Sequence, residues 1–340
     1  MTMNQPKHPL PPLFQKNEVL FGHDGTPGLI ACEIAGDASV KIFLRDGEST
    51  QSAVIPFQPF MLLEGDEPLA GWKGDAKIEQ LTGSGAFNRL ALFADLKRLD
   101  DAKSYLQQKS GKTPSSGDAP YWYFSDPLQQ FFLLSGKTHF LGMTFRDLKR
   151  LQLDIETYCQ TGFSFPNAKR DSDRITAIAL SDNSGWERLI SGKEFSEAEM
   201  LRELVKEIQQ RDPDVIEGHN LFRFDLEYIE ARAKRHKVAL NFGRDGSRLG
   251  GHASRMQMAE RTITYRKYEI FGRHIIDTWI LAQHYDVATR ELESFGLKDI
   301  ARHFGVAGAD RTYVPGDKTS WYFDHDPDTL FRYALDDVRE

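Results

Sequence analysis

LQLDIETYCQ, residues 151–160, alternates aliphatic and polar residues and carries two acids with one residue between them. Successive side chains on a strand point to opposite faces, so Leu151, Leu153 and Ile155 read as the apolar face of a half-buried strand. Asp154 and Glu156 then lie side by side on the other face. Two carboxylates held that close repel each other unless a cation sits between them or one of them takes a proton. The stretch therefore predicts a strand with a charge to neutralise.

The sequence downstream alternates strands and helices. RITAIALSD reads as a second strand. SEAEMLRELVKEIQQRD is an amphipathic helix whose Ser196 and Glu199 have capping-box spacing. PDVIEGHN is a buried strand ending in a turn, and FRFDLEYIEARAKRHK is a helix. TITYRKYEIFG and RHIIDTWILAQHY give a strand pair leading into a helix, with Asp277 as its cap. DPDTLFRYALDDVRE opens on Asp326 with Pro327 at the first helical position. This alternation predicts an α/β sheet covered by helices. Upstream, residues 19–63 read as a β-meander, and ALFADLKRLDDAKSYLQQKSG as a helix stopping at Gly111. QQFFLLSG and HFLGMTF read as two more strands, and residues 1–15 as a loosely attached arm. The expectation is a mainly β (α+β) domain over 1–145, a boundary near Thr144–Lys149, and an α/β domain over 146–340.

The 340 residues, 40% hydrophobic and 27% charged, have a soluble globular composition without an apolar run of membrane-spanning length. The N-terminus lacks the apolar core of a signal peptide. Cys32 and Cys159 are the only cysteines, which suits a reducing, cytoplasmic setting. Net charge is −7, but residues 231–273 hold eleven Arg and Lys against three acids, a local +8 that leaves −15 elsewhere. Such a segment either grips a phosphate backbone or is a solvated basic face.

Two further stretches bear on Asp154 and Glu156. In GHNLFRFD, residues 218–225, Asn220 falls in a strand-to-helix turn and Asp225 at the helix start, where sites on α/β sheets gather. In YALDD, Tyr333 and Asp337 are four apart and share a helix face. Singly, each has a plainer reading: a solvated acid pair, a first-turn acid, a core tyrosine. Together, Asp154, Glu156, Asp225 and Asp337 would gather four negative charges at one point. Oxygen ligands in that number suit Mg2+ or Mn2+.

Asp154-Ile155-Glu156-Thr157, Asn220-x-x-x-Phe224-Asp225 and Tyr333-x-x-x-Asp337 resemble, in order, the three exonuclease motifs of family B DNA polymerases. LESFGLKDIARHFG, 292–305, resembles the helix before the third motif, and the first half loosely resembles the N-terminal β-rich domain of the bacterial members. The resemblance implies a ribonuclease-H-like fold and a 3′–5′ exonuclease of the DEDDy class, acting on a single-stranded DNA 3′ end through two metal ions. It implies catalytic roles for Asp154, Glu156, Asp225, Tyr333 and Asp337, the four acids as ligands and Tyr333 orienting water. It also makes Thr157, Asn220 and Phe224 candidate substrate contacts. No polymerase motif is present, so the chain is expected to be a fragment of a longer polymerase-like protein. An idle nucleic-acid-binding module and an RNA 3′-end exonuclease are the alternatives. TITYRKYEIFGR, 262–273, interleaves Tyr265, Tyr268 and Phe271 with Arg266, Lys267 and Arg273. It reads either as a single-strand track with Arg266 and Lys267 on phosphates, or as a charged edge hairpin.

Overall fold

The computed structural model describes residues 22–340 and divides into two compact units, one ending at Asp147 and the other beginning at Leu148. The expected arm over 1–15 lies outside the described residues.

The first unit opens with an antiparallel meander of β1 (Leu29–Ile34), β2 (Ser39–Asp46) and β3 (Ser49–Pro56). A second sheet holds β4 (Phe60–Leu63), β5 (Lys77–Gln80), β6 (Arg89–Leu92) and β7 (Tyr121–Trp122), in the order β5-β6-β4-β7. Helix α1 (Leu96–Ser110) buries Leu99, Ala102 and Leu106 and stops where Gly111 turns left-handed at φ 68°. The expected strand in QQFFLLSG is instead helix α2 (Pro127–Ser135). A short apolar run does not separate strand from buried helix. The punctuation decides: Asp126 accepts from the Leu128 amide, Pro127 sits in the first turn, and Gly136 closes the end at φ 66°. HFLGMTF holds no strand either; Phe140 is left-handed and its carbonyl accepts from Met143 in a turn.

The second unit is built on a five-stranded sheet, β8 (Arg150–Thr157), β9 (Ile175–Asp182), β10 (Glu187–Ser191), β11 (Val215–Gly218) and β14 (His274–Asp277), in the order β10-β9-β8-β11-β14. β8, β11 and β14 run parallel; β9 and β10 are antiparallel additions. Helices α3 (Glu197–Arg211) and α4 (Asp225–His236) cover one face. There Met200, Leu204, Ile208, Leu226 and Ile229 meet Leu151, Leu153 and Ile155. The last four α-helices are α5 (Thr278–Thr289), α6 (Leu297–His303), α7 (Thr319–His325) and α8 (Pro327–Arg339). Helix α8 lies on the opposite face, with Ala334 and Val338 against Ala179. Alternation along β8 therefore turns Asp154 and Glu156 toward the helix that carries Tyr333 and Asp337.

The parallel pair β8–β11 leaves no room for a side chain at Gly218, where a Cβ would stand 2.5 Å from the Leu153 carbonyl oxygen. Backbone cannot swing aside as a flexible side chain can. Gly218→Ala is expected to lower stability by about 1–3 kcal/mol, the usual range for overpacking, and a thermal melt indistinguishable from the parent's would contradict the tight contact.

β12 (Gly250–Met258) and β13 (Arg261–Glu269) form a separate hairpin. The partner of TITYRKYE is the strand before it, not the RHIID segment after it.

Candidate active site

Each carboxylate reaches the site by a different local device. Asp154 and Glu156 come from the alternation of β8, which is bulged between Glu156 and Thr157. Asp225 opens α4 after a turn in which Asn220 is left-handed at φ 68°. Asp277 holds that turn as well as capping α5. Its carboxylate accepts from the amides of Asn220 (2.9 Å), Phe222 (3.0 Å) and Trp279 (3.0 Å). Both ring nitrogens of His219 are bonded, to Thr278 and to the Phe295 carbonyl, so this histidine is a brace. Asp337 and Tyr333 lie one turn apart on α8.

Oxygens of Asp154, Glu156 and Asp337 lie within 4.8 Å of one another. Asp225 stands beside this group, 2% exposed, with one carboxylate oxygen accepting from the Ile155 amide at 3.2 Å. The neighbouring residue decides between the two acids of YALDD: Asp336 is taken up by the Thr312 amide (2.8 Å) and Arg339 (2.7 Å), outside the cluster. A cleft of about 720 Å³ is lined by Asp154, Glu156, Thr157, Phe224, Tyr333 and Asp337, among others. Asn220 and Asp225 are not among the residues that line it, and the Asn220 side-chain oxygen is buried without a hydrogen-bond partner.

Burial raises the affinity of every cluster acid for protons. Asp154 is pushed well above the ordinary carboxylate range by desolvation and then by the charges of Asp225, Asp337 and Glu156. Glu156 follows for the same reason, with Asp337 its main repulsive neighbour. Asp225 is pushed up to about 7, chiefly by burial. Asp337 is raised by burial too, against the pull of Arg311, with which it forms an ion pair. The Tyr333 hydroxyl donates to Asp337 and accepts from Lys298 Nζ at 2.9 Å. Burial and the surrounding charges hold that phenol neutral. Burial in turn lowers the Lys298 ammonium, which the acids oppose.

Lys298 and Arg311 are the two site cations that sequence reading did not single out. Lys298 stands inside LESFGLKDIARHFG, where its spacing to the cluster is invisible; Arg311 comes from a loop segment with no motif at all. The aromatic part of the single-strand-track reading needs correction. Tyr268 is 2% exposed and stacks on Phe222, and Tyr265 packs on the same core, so neither is a free stacking ring. Arg273 is buried, donating to Asp212 and to the Pro213 carbonyl. Arg266 is bidentate on Glu230, and Lys267 pairs with Glu269 at 3.2 Å.

A carboxyl that binds its proton more tightly folded than unfolded stabilises the fold fully below its unfolded value near 3.8. That contribution is lost as pH rises through about 7. Between about pH 5 and pH 7.5 the metal-free protein is therefore expected to lose melting temperature, because the acids that work in the opposite sense, such as Glu197 and Asp173, are already ionised there. A divalent cation should restore stability, and more so at the higher pH. Melting curves with and without Mg2+ at both pH values check this; an equal metal effect at the two would count against a proton-holding cluster.

Residues 138–300 match the family model for DNA polymerase family B, exonuclease domain. The DNA polymerase of Methanocaldococcus jannaschii is 29% identical over 199 residues, 56% of this chain and 11% of that protein. The DNA polymerase of Archaeoglobus fulgidus is 33% identical over 119 residues, 35% of this chain and 14% of that protein. Among solved structures, the family B DNA polymerase from Pyrobaculum calidifontis superposes with a TM-score of 0.65 over 91% of this chain and 43% of that one, at 20% identity. The chain thus spans a minor part of the relatives it matches. The architecture is the ribonuclease-H-like fold of such exonuclease domains, with a β-rich part ahead of it.

Proposed function

We propose that this chain, whose residues 138–300 match the family model for DNA polymerase family B, exonuclease domain, removes nucleotides one at a time from single-stranded DNA 3′ ends by metal-dependent hydrolysis. The observation that carries the reading is the convergence of Asp154, Glu156 and Asp337 within 4.8 Å. Such a donor set fits hard divalent cations: all oxygen, acidic, and repulsive until neutralised. Asp154, Glu156 and Asp337 would hold the ions, with Asp225, bonded to the Ile155 amide, completing the set. Bound Mg2+ or Mn2+ supplies an activated water and charge stabilisation for the leaving 3′ oxygen.

The chain's own groups do the remaining work. Tyr333, kept neutral and with its one O–H now given to Asp337, would position water in the cleft rather than remove its proton. Lys298 fixes that phenol from its other side. Thr157 and Phe224 line the cleft where a terminal nucleotide would lie; Asn220, the third proposed contact, is not among the residues lining it, and its side-chain oxygen is buried. Arg266 and Lys267 would bind phosphate only by giving up Glu230 and Glu269.

Among the described residues no helix is long and apolar enough to cross a membrane, and both cysteines are free. A soluble, reducing setting such as the cytoplasm accords with these facts, and a polymerase-like region accords with the relatives' greater length.

The test is a 5′-labelled single-stranded oligodeoxynucleotide incubated with the chain and Mg2+ or Mn2+. A ladder shortening stepwise from the 3′ end is expected, and its disappearance with EDTA. Binding without any shortening would make the domain an idle nucleic-acid-binding module, and faster shortening of the RNA analogue would move the substrate class.

A further inference from the structure

Arg311 has no task in the hydrolysis proposed above, yet it is buried against one of the acids. Its side chain is 1% exposed and lies between two carboxylates of α8, forming ion pairs with Asp337 and with Glu340. Both carboxylates are almost closed to solvent. They are three residues apart, so they share one face of the helix. The segment that carries Arg311 is fixed to the same turn. The Gly308 amide donates to Glu340 Oε1 at 3.1 Å, and the Thr312 amide donates to Asp336 at 2.8 Å. Val314 anchors the segment further on, buried with Phe323 and Leu330. The backbone on both sides of the guanidinium is held, and its charge has two acids to choose between.

The two acids are not equivalent. Asp337 belongs to the group whose oxygens lie within 4.8 Å of one another; Glu340 does not. Asp337 is therefore claimed twice, as counter-ion to a buried guanidinium and as an oxygen ligand. A positive charge at a carboxylate opposes a second one there. A neighbouring charge within about 4–6 Å shifts the binding of a proton by about one to three decades, and a divalent ion carries twice a proton's charge. Arg311 already acts in this way on Lys298, whose ammonium it disfavours. Its own hydrogen bonding is incomplete as well, since its buried Nε has no partner. A guanidinium so held leans on charge, and charge can be shared out between Asp337 and Glu340.

Resting on the nuclease reading above, we infer that Arg311 competes with divalent cations for Asp337, and that Glu340 is the carboxylate that takes the guanidinium over. The ion triad then sets how tightly the acid cluster takes metal. Its two ends act in opposite directions. Removing the charge of Arg311 releases Asp337 and tightens metal binding. Removing the charge of Glu340 leaves Asp337 as the sole counter-ion and weakens it. A triad that only clamps the last turn of α8 gives one direction: loss of either end loosens the turn and weakens metal binding.

The experiment is Mn2+ binding to the full chain at about pH 8, where fewer protons compete for the acids, read from the electron paramagnetic resonance of free Mn2+. Arg311→Gln is expected to bind Mn2+ about tenfold more tightly or better, and Glu340→Gln about threefold to tenfold more weakly. Gln at 340 keeps an oxygen for the Gly308 amide, so its effect is one of charge. Arg311→Lys, which keeps the charge, should stay within about threefold of the parent. Where Arg311→Gln alone does not fold, Arg311→Met with Glu340→Gln leaves the net charge as it was and still releases Asp337. It should bind Mn2+ about threefold more tightly or better. In melting curves, saturating Mn2+ should raise the melting temperature more in the charge-removing Arg311 variants than in the parent. Weaker binding in both Arg311→Gln and Glu340→Gln makes the triad a clamp and overturns the inference, as does parental affinity in either. Absence of Mn2+ binding from the parent and every variant overturns it together with the metal reading. Opposite responses without a 3′ ladder keep this inference and sink the nuclease; a ladder with responses of one sign does the reverse.

Discussion

Asp154→Ala is expected to cut metal-dependent release of 3′-terminal nucleotides by about 10³-fold or more, with no loss of folded stability. Asp154 feels the charges of Asp225, Asp337 and Glu156 at once. Under the proposed function, removing it takes away one of the metal ligands, and the charge stabilisation at stake is several kcal/mol, at about 1.36 kcal/mol per decade of rate. The same deletion relieves a repulsion inside a buried cluster, so the metal-free variant should melt at or above the parent's temperature, most clearly near neutral pH where the acids are ionising. That pairing of lost turnover with kept stability separates a chemical role from a packing one. Asp336→Ala is the matched control. It removes an acid next in sequence to Asp337 whose carboxylate serves Thr312 and Arg339 instead, so turnover should stay near the parent's. Activity in Asp154→Ala within tenfold of the parent, or equal losses in the two variants, would sink the assignment of the acid pair on β8 to the chemistry.

Much of this was legible in the sequence because the site is made of local patterns. Period-two alternation in LQLDIET puts the acids on one face of a strand. Four-residue spacing puts Tyr333 and Asp337 on one face of a helix. The capping signals at Ser196, Asp277 and Asp326 sit where the helices begin. What was not legible depends on long-range placement. Lys298 and Arg311 reach the acids from segments whose spacing carries no signal. Tyr268 looks like a surface aromatic among charges, yet the register of the hairpin turns it onto Phe222. Phe165 and Trp321 look like two more core rings, yet both line the folded cleft and stay more than half exposed. In the first unit, QQFFLLSG has the composition of a strand, while the flanking Asp126-Pro127 and Gly136 specify a helix. In that stretch local punctuation outweighs apolar content.

Glu197→Ala is expected to cost about 3–5 kcal/mol of stability, the largest structural effect of any substitution considered for the second unit. Glu197 is 8% exposed and accepts from Arg232 twice, at 2.7 and 2.6 Å, from the Ile175 amide at 2.8 Å and from His236 at 2.6 Å. Arg232 is 2% exposed, so removing its partner leaves a guanidinium charge buried without compensation and an orphaned amide at the start of β9. At about 2–4 °C per kcal/mol for a unit of this size, the melting temperature should fall by roughly 6–20 °C. The consequence reaches the cleft through the other hand of Arg232, which donates to the carbonyls of Ala168 (3.1 Å) and Arg170 (2.8 Å). Those carbonyls belong to the same segment whose Asp173 braces the backbone around Phe165. The variant should therefore bind a single-stranded oligonucleotide more weakly even well below its melting temperature, while the acid cluster, held by β8 and α8, keeps its proton-linked metal response. Replacing both partners, Glu197→Leu with Arg232→Leu, removes the stranded charge and should recover part of the stability. The carbonyls of residues 168 and 170 stay unserved, so oligonucleotide binding should not recover with it. A double variant that regains both together would show that the pair acts on the fold alone and does not brace the cleft wall.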